Sequence, residues 1–291
     1  MNPYETLLRE ANGRPFAAIV GWPVEHSRSP LIHNFWIGQH AIAGEYRREA
    51  VSAEDFPTFV KELAERGYAG ANVTIPHKEA AMTLSAPDDR AQAVGAANTL
   101  WFEGDTLRST NTDVEGFLAN LDQMAPGWDR GLDEAIVLGA GGAARAIVFG
   151  LLSRNLKIVR VVNRTFSRAE ALRARFGERV KPAAWDEAGG LLAGAGLVVN
   201  TTSLGMKGQP ALDLRLEDLP RSAVVADIVY SPLVTPFLQE AKDLGLRHAD
   251  GLGMLLHQAV RGFSLWFGVK PEVTPELRAM VEEDLTKPKP E

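Results

Sequence analysis

EAIVLGAGGAARAIVFGLLSRN, residues 134–155, is the stretch that decides the fold. Its apolar start predicts a buried strand, and the turn that follows, from Gly139 to Ala144, matches G-x-G-x-x-A at the beginning of a helix. Gly139 would allow the tight turn, Gly141 would let a pyrophosphate approach the backbone, and Ala144 would keep the helix close to the sheet. The helix N-terminus would face the phosphates. The stretch therefore predicts a dinucleotide site, with a purely structural turn as the alternative.

The next predicted strand indicates which dinucleotide is bound. An NAD site usually carries Asp or Glu about 20 residues after the glycine turn. Here the strand ends in Asn163-Arg164-Thr165, and Arg168 follows one helical turn later. Guanidinium groups can pair with a 2′-phosphate, so we expect NADP rather than NAD. The alternative is that both arginines only solvate the start of a helix.

Strand-like and helix-like segments alternate along most of the chain. After the glycine turn, the strand candidates are residues 157–165, 174–180, 196–205 and 223–231. Before it, strands are predicted at 16–21, 45–51 and 68–75, and helices at 53–67 and from Ser29-Pro30 onward. Ser29 is a candidate N-cap, with proline at the first helical position. Strands joined by helical crossovers imply a mostly parallel sheet in an α/β fold.

Composition excludes several classes of function. The net charge of −6 argues against a nucleic-acid or anionic-membrane partner, and the absence of cysteine excludes disulfides and thiolate sites. No run approaches the roughly 20 apolar residues of a membrane span, and the mixed charge of the first residues is not what we expect of a signal peptide. The six histidines show no metal-ligand spacing, so we expect no metal. A cytoplasmic location is expected.

Polar residues follow the predicted strands of the N-terminal half. The strand NVTI leads through Pro76, which is expected to end it, to Lys78, whose amine is either catalytic or simply solvated at a helix start. Ser27 and Ser29 could donate hydroxyl and backbone N–H groups to a carboxylate, which is compatible with a capping role for Ser29. Downstream, Asn98 and Asp113 could each be ordinary turn residues.

Taken together, these motifs resemble one family. GWPVEHSRSPLIHN, NVTIPHK, GAANT, NTD, GAGGAARA, NRT, NTTSLGM, DIVYSPLVTP and GLGMLLHQA are similar, in this order, to the signature series of the shikimate dehydrogenases. The resemblance extends from about Gly21 to Gln258, which is most of the chain. Many folds share the glycine turn, whereas the series HSxSP, NVTxPxK and NTD is much more specific.

The resemblance implies an NADP-dependent oxidoreductase that acts on a CH–OH group. The reaction would be the reversible reduction of 3-dehydroshikimate to shikimate, on the route to chorismate and the aromatic amino acids. Lys78 and Asp113 would be the catalytic pair, titrating as a coupled unit. The implied substrate-binding residues are Ser27, Ser29, Asn72, Thr74, Asn98, Tyr230 and Gln258. The implied cofactor-binding residues are Gly139, Ala140, Gly141, Gly142, Ala143, Ala144, Asn163, Arg164, Thr165, Arg168, Ile228 and Gly251.

The resemblance also implies the domain organisation. Residues 1–114 would form a mostly parallel α/β domain for substrate binding and catalysis, joined by C-terminal helices at 251–291. Residues 115–250 would form a Rossmann-type NADP-binding domain, with a cleft between the two. The expected partner is the small-molecule substrate alone, and the chain is expected to be a monomer or a homodimer.

Three alternatives remain beside this interpretation. A quinate/shikimate dehydrogenase would accept quinate or NAD, although Asn163-Arg164-Thr165 speaks against NAD. A non-catalytic NADP-binding regulator could share the scaffold, although both Lys78 and Asp113 are present. A folate-linked dehydrogenase of similar layout would not explain the paired serines of HSRSP.

Overall fold

The computed structural model describes residues 16–287, which divide into two units. The first unit comprises the described residues up to Thr112 together with Gln258–Asp284. The second comprises Asp113–His257 and the described residues after Asp284. The sequence-based division placed the break after residue 114 and the return at residue 251, so the two divisions differ slightly at both boundaries.

The first unit is built on a six-stranded mixed sheet with the order β2-β1-β3-β5-β6-β4. Strand β1 is parallel to β2 and β3, whereas β5 is antiparallel to β3 and β6. Strands β5 and β6 form a hairpin across Gly104-Asp105, a two-residue turn signal that the sequence analysis did not use. The strands are β1 (Phe16–Gly21), β2 (Glu45–Ala50), β3 (Tyr68–Val73), β4 (Ala86–Pro87), β5 (Thr99–Glu103) and β6 (Thr106–Thr110).

The helices before the hairpin differ in detail from the predictions. They are α1 (Ser29–Gln39), α2 (Phe56–Lys61), α3 (Lys78–Thr83) and α4 (Asp89–Val94). The prediction of Ser29 as N-cap is wrong, because Arg28 occupies that position and Ser29 is already helical. The Ser29 N–H donates instead to Oγ of Ser27 at 3.2 Å. The predicted helix 53–67 is α-helical only in α2, and residues 62–67 continue mainly as turns in which Leu63 is wholly buried.

The second unit has a fully parallel sheet with the order β12-β11-β10-β7-β8-β9. Counted along this unit, the order is 6-5-4-1-2-3, which is that of the Rossmann-type dinucleotide fold. The order reverses between β7 and β10, and ligands bind at the carboxyl ends of the strands at such a point. The strands are β7 (Glu134–Leu138), β8 (Ile158–Asn163), β9 (Val180–Ala184), β10 (Leu197–Asn200), β11 (Val224–Asp227) and β12 (Arg247–Ala249). The predicted α/β class is confirmed.

Helices cover the strands of the second sheet, whose central strands are apolar and buried on both faces. These helices are α5 (Asp113–Met124), α6 (Gly142–Ser153), α7 (Phe166–Phe176), α8 (Ala188–Leu191) and α9 (Pro236–Asp243). The prediction of a strand at 174–180 is wrong. Its first residues end α7, whose buried residues Ala169 and Leu172 face the core, and Gly177 follows with a positive φ of 87°. The strand β9 begins only at Val180.

Two helices complete the described chain, α10 (Gly251–Phe267) and α11 (Pro275–Thr286). The division between the units falls inside α10, between His257 and Gln258. In the first unit, Trp266 of α10 is wholly buried and its Nε1–H donates to the Leu100 carbonyl at 2.8 Å. Across residues 16–287, no helix is long and apolar enough to cross a membrane.

Candidate active site

The backbone around Lys78 is fixed from both sides. Strand β3 ends at Val73, two residues before the end of the predicted strand 68–75, so the expectation that Pro76 ends it is wrong. His77 lies just before α3, with a buried ring that stacks on Phe56 at 4.3 Å. Its Nε2–H donates to the Val51 carbonyl at 2.7 Å. The Lys78 carbonyl accepts the Ala97 N–H at 2.8 Å. The half-buried Lys78 side chain therefore starts from a rigid frame.

Asn98 joins three separate segments of the first unit. Its backbone carbonyl accepts the Val73 N–H at 2.8 Å, and its N–H donates to the Thr110 carbonyl at 3.0 Å. Its side-chain Oδ1 accepts the backbone N–H of Thr112 at 2.8 Å and the Thr112 and Thr99 hydroxyls at 3.1 Å each. Asn98 thus fixes the residue that directly precedes Asp113. Its predicted contact with substrate stays a prediction.

Asn72 is held within the protein at both ends of its amide. Its Oδ1 accepts the Tyr46 hydroxyl at 2.7 Å, and its Nδ2 donates to the Asn98 carbonyl at 3.2 Å and to Oγ1 of Thr99 at 3.1 Å. Burial raises the pKa of Tyr46 well above its ordinary value, although a hydrogen bond with Ser29 opposes the rise. Tyr46 is therefore a neutral phenol between Asn72 and Ser29. These contacts assign Asn72 a positioning role, and its substrate contact stays a prediction.

The other predicted substrate residues of this unit lie around the same network. Ser29 is buried and Ser27 half-buried, and the Ser27 carbonyl accepts Nη2 of Arg48 at 2.9 Å. The Thr74 N–H donates to the Val20 carbonyl at 2.9 Å, which fixes the loop between β3 and α3. Oε1 of Gln258 lies 3.4 Å from Oγ1 of Thr112, whose single hydrogen is shared between Gln258 and the nearer Oδ1 of Asn98.

Sequence analysis missed three members of this network: Tyr46, Thr99 and Thr112. Tyr46 had a detectable signal in the sequence, because it is the single aromatic residue of the otherwise mostly charged strand EYRREA, and the structure buries it. Thr112 belongs to the quoted motif NTD, but nothing local distinguishes it from a turn residue. The structure brings both beside the predicted residues Asn72 and Asn98.

Asp113 begins the second unit. It is the first residue of α5 and is half-buried. A carboxylate in the first turn of a helix is favoured by the helix dipole. Its pairing with Lys78 stays a prediction.

The glycine turn of the second unit has the features that a pyrophosphate site requires. Gly139 has φ of +106°, and a Cβ there would lie 2.7 Å from Oγ1 of Thr201. Gly141 is exposed, and no described atom would lie within 4 Å of a Cβ on it. Helix α6 begins at Gly142, and no side chain among the described residues caps its N-terminus. Ala144 is wholly buried. Ala140 and Ala143 are half-buried within the turn. These residues fit a dinucleotide phosphate group.

The end of β8 fits a phosphorylated ribose better than an unmodified one. Asn163 is the last strand residue, and its Nδ2 donates to the Thr165 carbonyl at 2.8 Å. Arg164, Thr165 and Arg168 are exposed. An amide with two nearby guanidinium groups, in place of a carboxylate, favours a 2′-phosphate. Their contacts with NADP stay predictions.

The loop after β11 carries the predicted residues Ile228 and Tyr230, and a buried carboxylate precedes it. Oδ1 of Asp227 accepts Nδ2 of Asn200 and the Val229 N–H, both at 3.0 Å. Oδ2 of Asp227 accepts the Thr235 hydroxyl at 2.7 Å. Burial raises the pKa of Asp227 to about 6, and these hydrogen bonds oppose the rise.

Gly251, the last predicted cofactor residue, lies against this loop. A Cβ on Gly251 would lie 2.3 Å from the Ile228 carbonyl oxygen, so only glycine allows the two backbones to approach so closely. Sequence analysis missed Asn200, Asp227 and Thr235. The available signal was a carboxylate at the end of an otherwise apolar strand, VVAD.

Potential metal ligands do not cluster in the described part of the chain. Among residues 16–287, no group of three or more His, Cys, Asp or Glu side chains is arranged to hold a metal ion.

Family models match three segments of the chain. Residues 19–100 match the shikimate dehydrogenase substrate binding domain, residues 129–207 match shikimate / quinate 5-dehydrogenase, and residues 251–279 match the shikimate 5′-dehydrogenase C-terminal domain.

Two curated relatives are similar over nearly their whole length. The shikimate dehydrogenase (NADP(+)) of Rhodopseudomonas palustris (strain HaA2) is 62% identical over 278 residues, which cover 96% of this chain and 99% of that protein. The protein of the same name from Nitrobacter winogradskyi is 63% identical over 279 residues, with 96% and 99% covered.

Solved structures agree with these relatives. Shikimate 5-dehydrogenase from Thermus thermophilus, in complex with NADP(H) and shikimate, has a TM-score of 0.80 and 36% identity, covering 93% of this chain and 99% of that one. Quinate dehydrogenase from Corynebacterium glutamicum, in complex with NAD, has a TM-score of 0.86 and 29% identity, with 93% and 99% covered. On this similarity, which spans both units, the chain belongs to the shikimate dehydrogenase family.

Proposed function

We propose that this protein catalyses the reversible NADPH-dependent reduction of 3-dehydroshikimate to shikimate, in the biosynthesis of chorismate and the aromatic amino acids. The observation that carries the proposal is the rigid placement of Lys78 at the start of α3, held by Ala97 and next to His77. These contacts fix the backbone from which the Lys78 side chain extends, and a catalytic amine requires such a fixed starting point.

Lys78 supplies the acid chemistry that ketone reduction requires. When bound, NADPH supplies the hydride. The substrate oxygen gains negative charge and needs a proton, and a positioned ammonium both stabilises the charge and delivers the proton. Asp113 acts with Lys78 as the second member of the catalytic pair, and the two titrate together.

The remaining residues of the first unit recognise the substrate. Ser27 and Ser29 bind the carboxylate through their hydroxyl groups, because the backbone N–H groups of both residues already donate within this segment, to the Val24 carbonyl and to Oγ of Ser27. Asn98, Gln258 and Thr74 bind the ring hydroxyls, with Tyr230 from the second unit as a further contact. Asn72 helps to hold these residues in place through its hydrogen bonds with Tyr46 and Thr99.

The second unit holds NADP. The uncapped N-terminus of α6 and the open backbone at Gly141 receive the pyrophosphate. Arg164 and Arg168, supported by Asn163 and Thr165, bind the 2′-phosphate. Ile228 and Gly251 line the nicotinamide end. The cytoplasmic location and the monomeric or homodimeric state stay predictions.

The second candidate is a dehydrogenase of the same family that also accepts quinate or NAD. It is favoured by the similarity in fold to a quinate dehydrogenase in complex with NAD. The amide of Asn163 in place of a carboxylate at the end of β8 speaks against NAD.

Initial rates with purified protein test the proposal, crossing shikimate and quinate with NADP and NAD. Rapid turnover only of shikimate with NADP supports it. Comparable turnover of quinate or NAD would move the protein to the second candidate. NADP binding without turnover in any combination would favour a non-catalytic regulator.

A matched pair of arginine variants tests the cofactor assignment. Arg164→Ala is expected to raise the KM for NADP far more than the KM for NAD, because only NADP carries the phosphate that the guanidinium would pair with. Arg173→Ala, which removes an exposed arginine of α7 paired with Glu178, is the control. Equal losses for both cofactors in Arg164→Ala would mean that the phosphate is recognised elsewhere.

A further inference from the structure

Asp227 lies at the carboxyl edge of the second sheet, where it ends β11, the strand between β10 and β12. In the parallel ladder it is directly opposite Asn200, the last residue of β10, which is in turn opposite Leu138, the last residue of β7. These three residues mark the row of strand ends from which the loops of the dinucleotide site depart. Asp227 is 2% exposed, and it is the charged residue in that row.

All three partners of Asp227 direct a hydrogen to it. The Val229 backbone N–H can only donate. Asn200 uses its Oδ1 to accept from Thr202, so its Nδ2 is the group that reaches Asp227. Thr235 accepts the Leu238 N–H at 3.3 Å, which leaves its own hydrogen for the carboxylate. A carboxylate, which only accepts, suits this set, whereas a side-chain amide would oppose one donor with another.

Through Asn200, the contact extends to the glycine turn. Oδ1 of Asn200 accepts both the N–H and the hydroxyl of Thr202, at 3.0 and 2.7 Å. The neighbouring Thr201 donates its N–H and hydroxyl to the Leu138 carbonyl, and its Oγ1 lies where a Cβ on Gly139 would intrude. One continuous set of contacts therefore runs from Asp227 to the turn that receives the pyrophosphate.

On its other side, Asp227 fixes the start of the loop after β11. The Ile228 N–H donates to the Asn200 carbonyl at 3.1 Å, and the Val229 N–H donates to Asp227 itself. Gly251 packs directly against the backbone carbonyls of Ile228 and Val229. The Thr235 hydroxyl holds the far end of the same loop at the start of α9. The loop that carries Ile228 and Tyr230 is thus tied to Asp227 at both ends.

We propose that Asp227 is a positioning residue, whose three hydrogen bonds hold Ile228 and Tyr230 in their working geometry and join them to the glycine turn. The inference rests on the proposed function, because it assigns these two residues to the nicotinamide and the substrate. Small displacements of positioning groups can lower rates about 100-fold without abolishing binding. Asp227 acts through the loop and does not itself touch the reacting atoms.

The test compares Asp227→Asn with Asp218→Asn, which alters an exposed carboxylate of the same unit. The first readout is amide hydrogen exchange of the cofactor-free protein. Asp227→Asn is expected to speed exchange at residues 201–206 and 228–235 while β7 and β8 stay protected. The second readout is kcat of the folded enzyme, measured well below its Tm, which is expected to fall about 10-fold or more, with a smaller change in the KM for NADP.

A second pair of variants serves if Asp227→Asn does not fold. Thr235→Val removes one donor and keeps the side-chain shape, so both readouts are expected to change in the same direction. Thr235→Ser restores the hydroxyl and is expected to restore both. Thr235 also caps α9, so Thr235→Val is expected to lower the Tm simply by removing the cap. A lower kcat of the folded enzyme is not expected from a lost cap alone and therefore reports on the loop.

The outcomes separate this inference from the proposed function. Faster loop exchange together with a lower kcat supports the inference. Exchange and kcat equal to those of Asp218→Asn would overturn it, and so would faster exchange with kcat unchanged, which would leave Asp227 with a structural role only. If the wild type turns over no substrate, the proposed function fails, and unchanged exchange in the variant would then still overturn the positioning of the loop.

Discussion

The two units hold their site residues by different means. In the first unit the network centred on Asn98 and Asn72 consists of buried amides and hydroxyls that bond one another. In the second unit the site is mostly backbone, opened by Gly139 and Gly141, and a single buried carboxylate, Asp227, ties the loops together.

This difference follows from what each unit is proposed to bind. A polyhydroxylated ring needs both donors and acceptors in fixed directions, and amides and hydroxyls offer both. A pyrophosphate needs backbone N–H groups with nothing in front of them, so side chains must be absent there. A buried carboxylate beneath such loops accepts hydrogen bonds from them. It cannot donate a hydrogen bond to the phosphate, because an ionised carboxylate is an acceptor only.

Removing the amine of Lys78 gives the largest expected effect and tests the catalytic role within the first unit. Lys78→Ala is expected to lower kcat by at least about 100-fold, the low end for a positioned proton donor. The far-UV circular dichroism is expected to stay unchanged, because the contacts that fix this segment use the His77 ring and the Lys78 carbonyl. Lys61→Ala, at an exposed lysine of the same unit, is the control. Near-wild-type activity would remove Lys78 from the mechanism.

The buried titratable groups of the two units predict opposite responses of stability to pH. Burial lowers the pKa of His33 to about 3, from an ordinary 6.5, where it stacks on Tyr46 at 4.1 Å in the first unit. Burial raises the pKa of Asp227 to about 6, from an ordinary 3.8, in the second unit. Below its ordinary pKa, His33 is protonated only in the unfolded state, so its contribution to stability is lost as pH falls. Asp227 keeps its proton longer in the folded state, so its contribution is lost as pH rises through 3.8 to 6.

Equilibrium urea unfolding of wild type, His33→Phe and Asp227→Asn measures both effects. The free energy of unfolding of the wild type, relative to that of His33→Phe, is expected to fall by about 2 kcal/mol between about pH 7.5 and about pH 5. Relative to Asp227→Asn, the free energy of unfolding of the wild type is expected to fall by about 2 kcal/mol as the pH rises from about 4.5 to about 7.5. Differences that do not vary with pH would contradict the burial of the group concerned.

Sequence patterns predicted the second unit better than the first, for a physical reason. The glycine turn is a local signal, and so is each apolar strand of the parallel sheet. The alternation of an apolar strand with a helix then recurs along the second unit. The mixed sheet of the first unit depends on the antiparallel hairpin at Gly104-Asp105 and on the antiparallel pairing of β5 with β3, a direction that the strand–helix alternation does not predict. The predicted helix 53–67 is helical only from Phe56 to Lys61, although the buried residue Leu63 continues the helical spacing of Phe56 and Phe59.

For the sites, residue identity was easier to predict than residue role. Motifs led to Asn98, but its partners Val73, Thr110 and Thr112 come from separate segments that only the folded sheet brings together. Asp227 was overlooked because a single acid at the end of an apolar strand resembles an ordinary strand terminus. Its significance depends on cross-strand register with Asn200, which one sequence does not reveal.

Two alanine substitutions in the glycine turn separate backbone strain from ligand approach. Gly141→Ala is expected to leave Tm unchanged, because no described atom lies near the added Cβ, and to weaken NADP binding about 10-fold by obstructing the phosphate. Gly139→Ala is expected to lower stability by about 1–3 kcal/mol as well, because its φ of +106° and the 2.7 Å approach to Thr201 leave no room. Thermal unfolding and NADP titration distinguish them. A drop in Tm for Gly141→Ala would show that this glycine serves the fold.

The smallest expected effect concerns the substrate carboxylate in the first unit. Ser27→Ala removes one hydroxyl that would bind the charged carboxylate, and a hydrogen bond to a charged group contributes about 1.5–3 kcal/mol. At the low end of this range, which suits a half-buried residue, the KM for shikimate is expected to rise about 10-fold. The KM for NADP is expected to stay unchanged, because the cofactor depends on the second unit. Ser52→Ala, whose hydroxyl bonds Asp55 at 2.7 Å, is the control. An unchanged KM for shikimate would limit Ser27 to supporting the Ser29 N–H at the start of α1, and the carboxylate would then have to be recognised by other donors of the first unit.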